Sequence, residues 1–130
     1  MRLPNALRAE LLREAARALP WEACGLVGGL EDDLLTFIAC RNAAESSHRY
    51  TICPEDVLQA FREFERQGIE LRAIFHSHPE GAAHPSATDI REAMYPGVLH
   101  IILGAPPALR LRGFWIEAGE AREEPIEDVH

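Results

Sequence analysis

Fourteen residues of this chain hold most of its chemistry: His76-Ser77-His78-Pro79, a six-residue loop, then Ser86-Ala87-Thr88-Asp89. Two imidazoles and a carboxylate are borderline-to-hard ligands, and three of them around a divalent ion leave one coordination position open. Water in that position becomes a nucleophile, because the ion lowers its pKa from about 15.7 to near 7. The same ligand set is also the facial triad of Fe(II) oxygenases, so the spacing alone leaves two metal chemistries open. Ser86-x-x-Asp89 reads equally as a capping box at the start of a helix. The two readings are compatible, since a carboxylate fixed in the first helical turn can still present one oxygen to a cation.

Hydrolysis also needs a base. Glu22 stands out in Pro20-Trp21-Glu22-Ala23-Cys24-Gly25-Leu26, because it sits among apolar neighbours where a charge is expensive to bury. A surface glutamate at a strand edge is the plainer alternative. Cys24, two residues on, could be a soft ligand or a nucleophile, but strand alternation and the His/His/Asp set favour a packed thiol. Of the other histidines, His48, His100 and His130 have no chemical company, and His84 lies in the loop near the site.

The elements that must position these residues follow from periodicity. Apolar residues at helical spacing predict a first helix from Pro4 to Leu19, ended by Pro20. Trp21 to Gly29 and Leu34 to Cys40 read as a hairpin, Arg49 to Ile52 as a short strand, and Pro54 to Gly68 as a second helix. Ile69 to Phe75 is a strand delivering His76 and His78 to its end, on one side and roughly 6 to 7 Å apart. A short helix from Ser86 to Met94 and strands at Val98 to Leu103 and Leu109 to Ile116 complete the order. This is an α/β arrangement, a mixed sheet flanked by helices, in a single domain over residues 1–116.

The last fourteen residues hold Glu117, Glu120, Glu123, Glu124, Glu127 and Asp128 against Arg122, and read as a solvated, mobile acidic tail over 117–130. A net charge of −8 would repel a phosphate backbone, so nucleic acid is not expected as a partner. No apolar run approaches the ~20 residues a membrane span requires, and no secretory signal is visible, so a cytoplasmic location is expected. The three cysteines, an odd number without a Cys-x-x-Cys pair, argue against a disulfide framework. All thirteen basic residues are arginine. Codon bias explains that most simply; avoidance of self-modification by an isopeptide enzyme is a second reading.

Glu22 with Cys24-Gly25-Leu26, then His76-Ser77-His78-Pro79, Ser86 and Asp89 in this order, resemble the JAMM (MPN+) family of zinc metalloproteases. Asn42 before its loop and Pro54 at its helix start resemble the small prokaryotic members. The resemblance implies a JAMM/MPN fold, similar to the cytidine deaminase architecture, with one zinc ion per chain held by His76, His78 and Asp89. It implies Glu22 as the general acid/base and Ser86 as a donor to the oxyanion. It also implies a substrate of peptide or isopeptide bonds after the Gly-Gly tail of a ubiquitin-like or sulfur-carrier protein, the tail being held against an edge strand. A homodimer is compatible with this reading. The alternative function is a tail-binding or assembly module that holds a structural metal without cutting.

Overall fold

A computed structural model describes all 130 residues. In chain order the elements are β1 (Arg2–Pro4), α1 (Asn5–Ala18), β2 (Cys24–Leu30), β3 (Asp33–Cys40), α2 (Pro54–Gln67), β4 (Glu70–Ser77), α3 (Ala87–Arg91), β5 (Leu99–Leu103), β6 (Leu111–Glu117), β7 (Glu120–Glu124) and β8 (Glu127–Val129). The eight strands form one sheet in the order β7-β6-β5-β4-β2-β3-β1-β8. It is mixed: β4 pairs with β5 in parallel and with β2 antiparallel, and α3 lies in the crossover from β4 to β5.

Strand alternation divides the core between two faces. Ala73, Phe75, Leu99, Ile101 and Leu103 pack with Leu7 and Leu11 of α1. Leu26 and Ile74 pack with Ala60 and Phe64 of α2. His76 follows Phe75 by one residue, so the period of two sends its ring to the face shared by α2 and α3. Helix α2 is well specified locally, with Pro54 in its first turn, Glu55 and Asp56 beside it, Arg66 in the last turn and Gly68 as a left-handed cap at φ 69°. It can approach β2 closely because Gly28 has no side chain; a Cβ there would lie 2.6 Å from the Phe64 ring.

Three expectations change. The strand expected at Arg49 to Ile52 is a single bridge, Asn42 to Ile52, within an irregular loop. The hairpin strand starts at Cys24, which leaves Glu22 on irregular backbone before it. The acidic end is not a loose tail: β7 pairs with β6, and β8 pairs with β1. Its charges are met locally, with Arg112 Nε donating to Glu123 at 3.0 Å, Arg8 Nε to Asp128 at 2.9 Å and Trp115 Nε1 to Glu124 at 2.9 Å. Ile126 packs against the α1-side core. No helix is long and apolar enough to cross a membrane.

Candidate active site

Strand β4 ends at Ser77 and its backbone direction is carried one residue further, where His78 N donates to Leu103 O at 2.8 Å. The two rings then converge. His76 Nε2 and His78 Nε2 are 3.1 Å apart, and each lies close to Asp89 Oδ2, at 3.0 and 3.1 Å. His78 Nδ1 is 2.8 Å from Ala82 O, so it carries the proton and donates, which leaves the Nε2 lone pair facing His76 and Asp89.

The capping box and the candidate ligand share one carboxylate. Ser86 Oγ accepts from Asp89 N at 3.0 Å, and Asp89 Oδ2 accepts from Ser86 N at 2.9 Å, so the box aims the same oxygen that meets both histidines. The Ser86 hydroxyl keeps its own hydrogen free to donate. Burial alone would raise the Asp89 carboxyl, but His76 and His78, when protonated on Nε2 in the absence of a metal, outweigh it together with the Ser86 N–H and hold the group well below the carboxylate range. Burial pushes His76 down, while for His78 the same effect is outweighed by Asp89 and by Ala82 O, so its proton affinity rises.

The three atoms fit a divalent ion. Ligands at 2.0 to 2.1 Å around a tetrahedral centre stand about 3.3 Å apart, within a few tenths of an ångström of the observed separations. Glu22, His76 and His78 also place a ligand atom each within 4.8 Å of one another. Glu22 is only 2 % exposed, and its Oε1 has no hydrogen-bond partner. Burial, opposed by His78 and reinforced by Asp89, pushes its carboxyl up to about 8. A carboxyl left this way is poorly placed for stability and well placed to exchange a proton near neutrality.

Sequence reasoning missed the supports. Ser77 accepts from Ala23 N at 2.8 Å through its hydroxyl, and its own N–H donates to Ala23 O at 3.0 Å, clamping the segment that carries Glu22 to the end of β4. Glu22 N donates to Ser46 O at 2.7 Å. Tyr50 stacks on His76 with ring centres 4.5 Å apart and planes 23° from parallel. Beside Asp89 a cavity of about 430 Å³ extends over Leu26, Ile74 and His100, walled by Tyr50, Val57 and Tyr95. His100 is buried there, and burial lowers it to about 4, so it is neutral at physiological pH.

The remaining candidates fall away from the centre. Cys24, Cys40 and Cys53 are free and buried. The Cys24 thiol, 3.5 Å from Cys40 O, is raised by burial and is a packed side chain rather than a nucleophile. His84 packs edge-on against Phe114 at 5.4 Å, His48 is exposed 3.8 Å from Glu80, and His130 Nδ1 meets Asn5 at 2.9 Å.

The family model described as prokaryotic homologs of the JAB domain matches residues 4–117. The chain is 38% identical over 114 residues to a probable TtuB-protein conjugate cleaving protease of Thermus thermophilus, covering 87% of this chain and 71% of that one. It is 35% identical over 92 residues to a desampylase of Haloferax volcanii (68% and 66%), and 31% identical over 131 residues to a CysO-cysteine peptidase of Mycobacterium tuberculosis (95% and 90%). Among solved structures, a Desulfitobacterium hafniense protein superposes with TM-score 0.90 at 30% identity, over 98% of this chain and 92% of that one. A JAB1/MPN domain protein from Archaeoglobus fulgidus superposes with TM-score 0.68 at 21% identity, over 100% and 97%. The latter likeness shows the fold alone, and it is the fold expected from the motif.

Proposed function

Since the chain belongs to the family of prokaryotic homologs of the JAB domain, we propose that it is a zinc metallopeptidase releasing or trimming conjugates of a ubiquitin-like or sulfur-carrier protein. One observation carries the reading: three ligand atoms meet within 3.1 Å of each other, beside a buried carboxylate oxygen with no partner of its own. A structural metal would not call for that orphaned carboxylate. His76, His78 and Asp89 hold one zinc ion in this proposal. When bound, zinc supplies a Lewis acid that polarises a carbonyl and acidifies water.

The chain's own residues do the rest. Glu22 takes a proton from the attacking water at its free carboxylate oxygen and returns it to the leaving amine. The Ser86 hydroxyl, already fixed by its cap to Asp89 N, donates its remaining hydrogen to the oxygen on which negative charge develops. Ser77 and the 41–53 loop keep the Glu22 backbone in place during the transfer.

The relatives named for TtuB conjugates and for CysO suggest the carrier class, and Tyr50 and Asp89 both line the cavity that would receive its tail. The sheet's free edges, β7 and β8, each lie three strands from the nearest of the two site-bearing strands, β4 and β2. Docking of the tail therefore uses the cleft between the 41–53 loop and α3, where the cavity opens past exposed Thr51 and Met94, rather than a sheet edge. The test is cleavage of a carrier ending in Gly-Gly and fused through its tail to a second protein. Zinc-loaded protein should cut after the second glycine and Glu22→Gln should not. Cleavage unchanged in Glu22→Gln, or iron with oxygen consumption in place of zinc, defeats the proposal.

A further inference from the structure

Asn42 lies outside the ligand set, yet its side chain is engaged five times. Nδ2 donates to Glu22 O at 3.1 Å and to Arg49 O at 3.0 Å, with Ser46 O at 3.5 Å. Oδ1 accepts from Ala44 N and Thr51 N, both at 3.0 Å. Four of these five partners lie on the loop between β3 and α2, and the fifth is the backbone of Glu22. The loop in turn returns a contact to the same residue, Glu22 N donating to Ser46 O at 2.7 Å.

That loop also carries Tyr50, whose ring lies on His76. A metal-binding histidine is ordinarily oriented by a hydrogen bond from its second ring nitrogen. His78 has this bond, to Ala82 O, whereas His76 Nδ1 is buried with no partner. The His76 ring must then be oriented by packing, and the stacked face of Tyr50 supplies it. Thr51 N, held by Asn42 Oδ1, belongs to the residue immediately after Tyr50.

We propose that Asn42 is a positioning residue that sets Glu22 directly and His76 through Tyr50, so that one amide keeps the proton-carrying carboxylate and a metal ligand in register. This rests on the metallopeptidase reading for its meaning, though not for its readout. Only an amide serves, because the three carbonyls need a donor and the two amide N–H groups need an acceptor. A carboxylate of the same shape would face Glu22 O, Ser46 O and Arg49 O with no hydrogen to offer.

The experiment measures zinc affinity by competition with a chromophoric chelator, which needs no substrate, together with kcat and KM at saturating zinc. Removing an outer support of a metal ligand costs roughly 10–100-fold in affinity or activity. Asn42→Asp and Tyr50→Ala are each expected to weaken zinc by about 10-fold or more, while Tyr50→Phe retains the affinity. Asn42→Asp should lower kcat roughly 10–100-fold with KM within about threefold, because the ground-state contacts of the substrate are untouched. The double variant Asn42→Asp/Tyr50→Ala should bind zinc no more weakly than the worse single variant, since both break one linkage. Wild-type zinc affinity in both single variants overturns the proposal, and so do losses that multiply in the double variant. Should Asn42→Asp fail to fold, Tyr50→Ala against Tyr50→Phe decides alone: equal affinity in the two removes the stack from the linkage. A wild-type protein that cuts no Gly-Gly conjugate would defeat the proposed function while leaving these affinities interpretable.

Discussion

Glu22→Gln separates a residue kept for chemistry from one kept for stability. The Glu22 carboxyl is raised from 4.5 to about 8 by burial, with His78 opposing and Asp89 assisting. Between those two values the folded metal-free protein binds more protons than the unfolded chain, so its stability falls as pH rises through that window. At pH 7 the mismatch is about 2.5 pH units, or roughly 3 kcal/mol at 1.36 kcal/mol per unit. Glutamine has the same volume and cannot ionise, and it leaves the same position unpartnered, so the burial of the neutral forms cancels. In chelator, Glu22→Gln should therefore be more stable than the parent by about 2–3 kcal/mol at pH 7. The gain should shrink to nothing below pH ~4.5. For a chain of this length that is a rise in Tm on the order of 6–15 °C. With zinc restored, the same variant should lose roughly 10²–10⁴-fold in kcat, the contribution of a positioned proton carrier. Urea titrations across pH 4 to 8 and a single-turnover cleavage assay read both effects. A variant no more stable than the parent at pH 8, or a difference that does not change with pH, would refute the account of Glu22.

Ser86→Ala removes both the helix cap and the proposed oxyanion donor; the expected cost is about 1 kcal/mol in stability and about 10²-fold in kcat, read by thermal melts and initial rates. His100 is lowered by burial to about 4, so its contribution to stability is complete above pH ~6.5 and lost as pH falls toward 4, by about 3 kcal/mol. His100→Gln should flatten that part of the pH–stability curve, and an unchanged slope would place the titration elsewhere. Deleting residues 118–130 should destabilise the protein and raise its exposure to protease, since β7 and β8 are paired and Ile126 is packed. A fully stable truncation would restore the loose-tail reading.

The convergence of the candidate ligands was legible because their geometry is local. His76 and His78 differ by the strand period, and Ser86 and Asp89 by the spacing of a capping box, so a short stretch of chain determines where all four point. Glu22 stood out among apolar neighbours, but only the family pattern favoured it over a surface glutamate, because its surroundings depend on Ser77 and Ser46, which lie 55 and 24 residues away. Asn42 and Tyr50 gave no signal of their roles. An asparagine in a polar loop looks the same whether it bonds its neighbours or reaches back to another segment, and a tyrosine at a loop end carries no mark of the ring it will cover. The acidic end misled for a different reason. Its charge run dominated the reading, whereas the short alternation that part-buries Ala121, Ile126 and Val129 spans too few residues to register as strands.

The sheet order has a mechanical meaning. The strands bearing or adjoining the site, β4 and β2, are the fourth and fifth of eight, and each side of them is buffered by three further strands. A load, a fused domain or an added strand at β7 or β8 would be absorbed across those ladders before it could shift His76 relative to Glu22. The outer strands are thus free to diverge as attachment points for different assemblies, since neither the loop from Arg41 to Cys53 nor the short helix α3 that flank the site belongs to them.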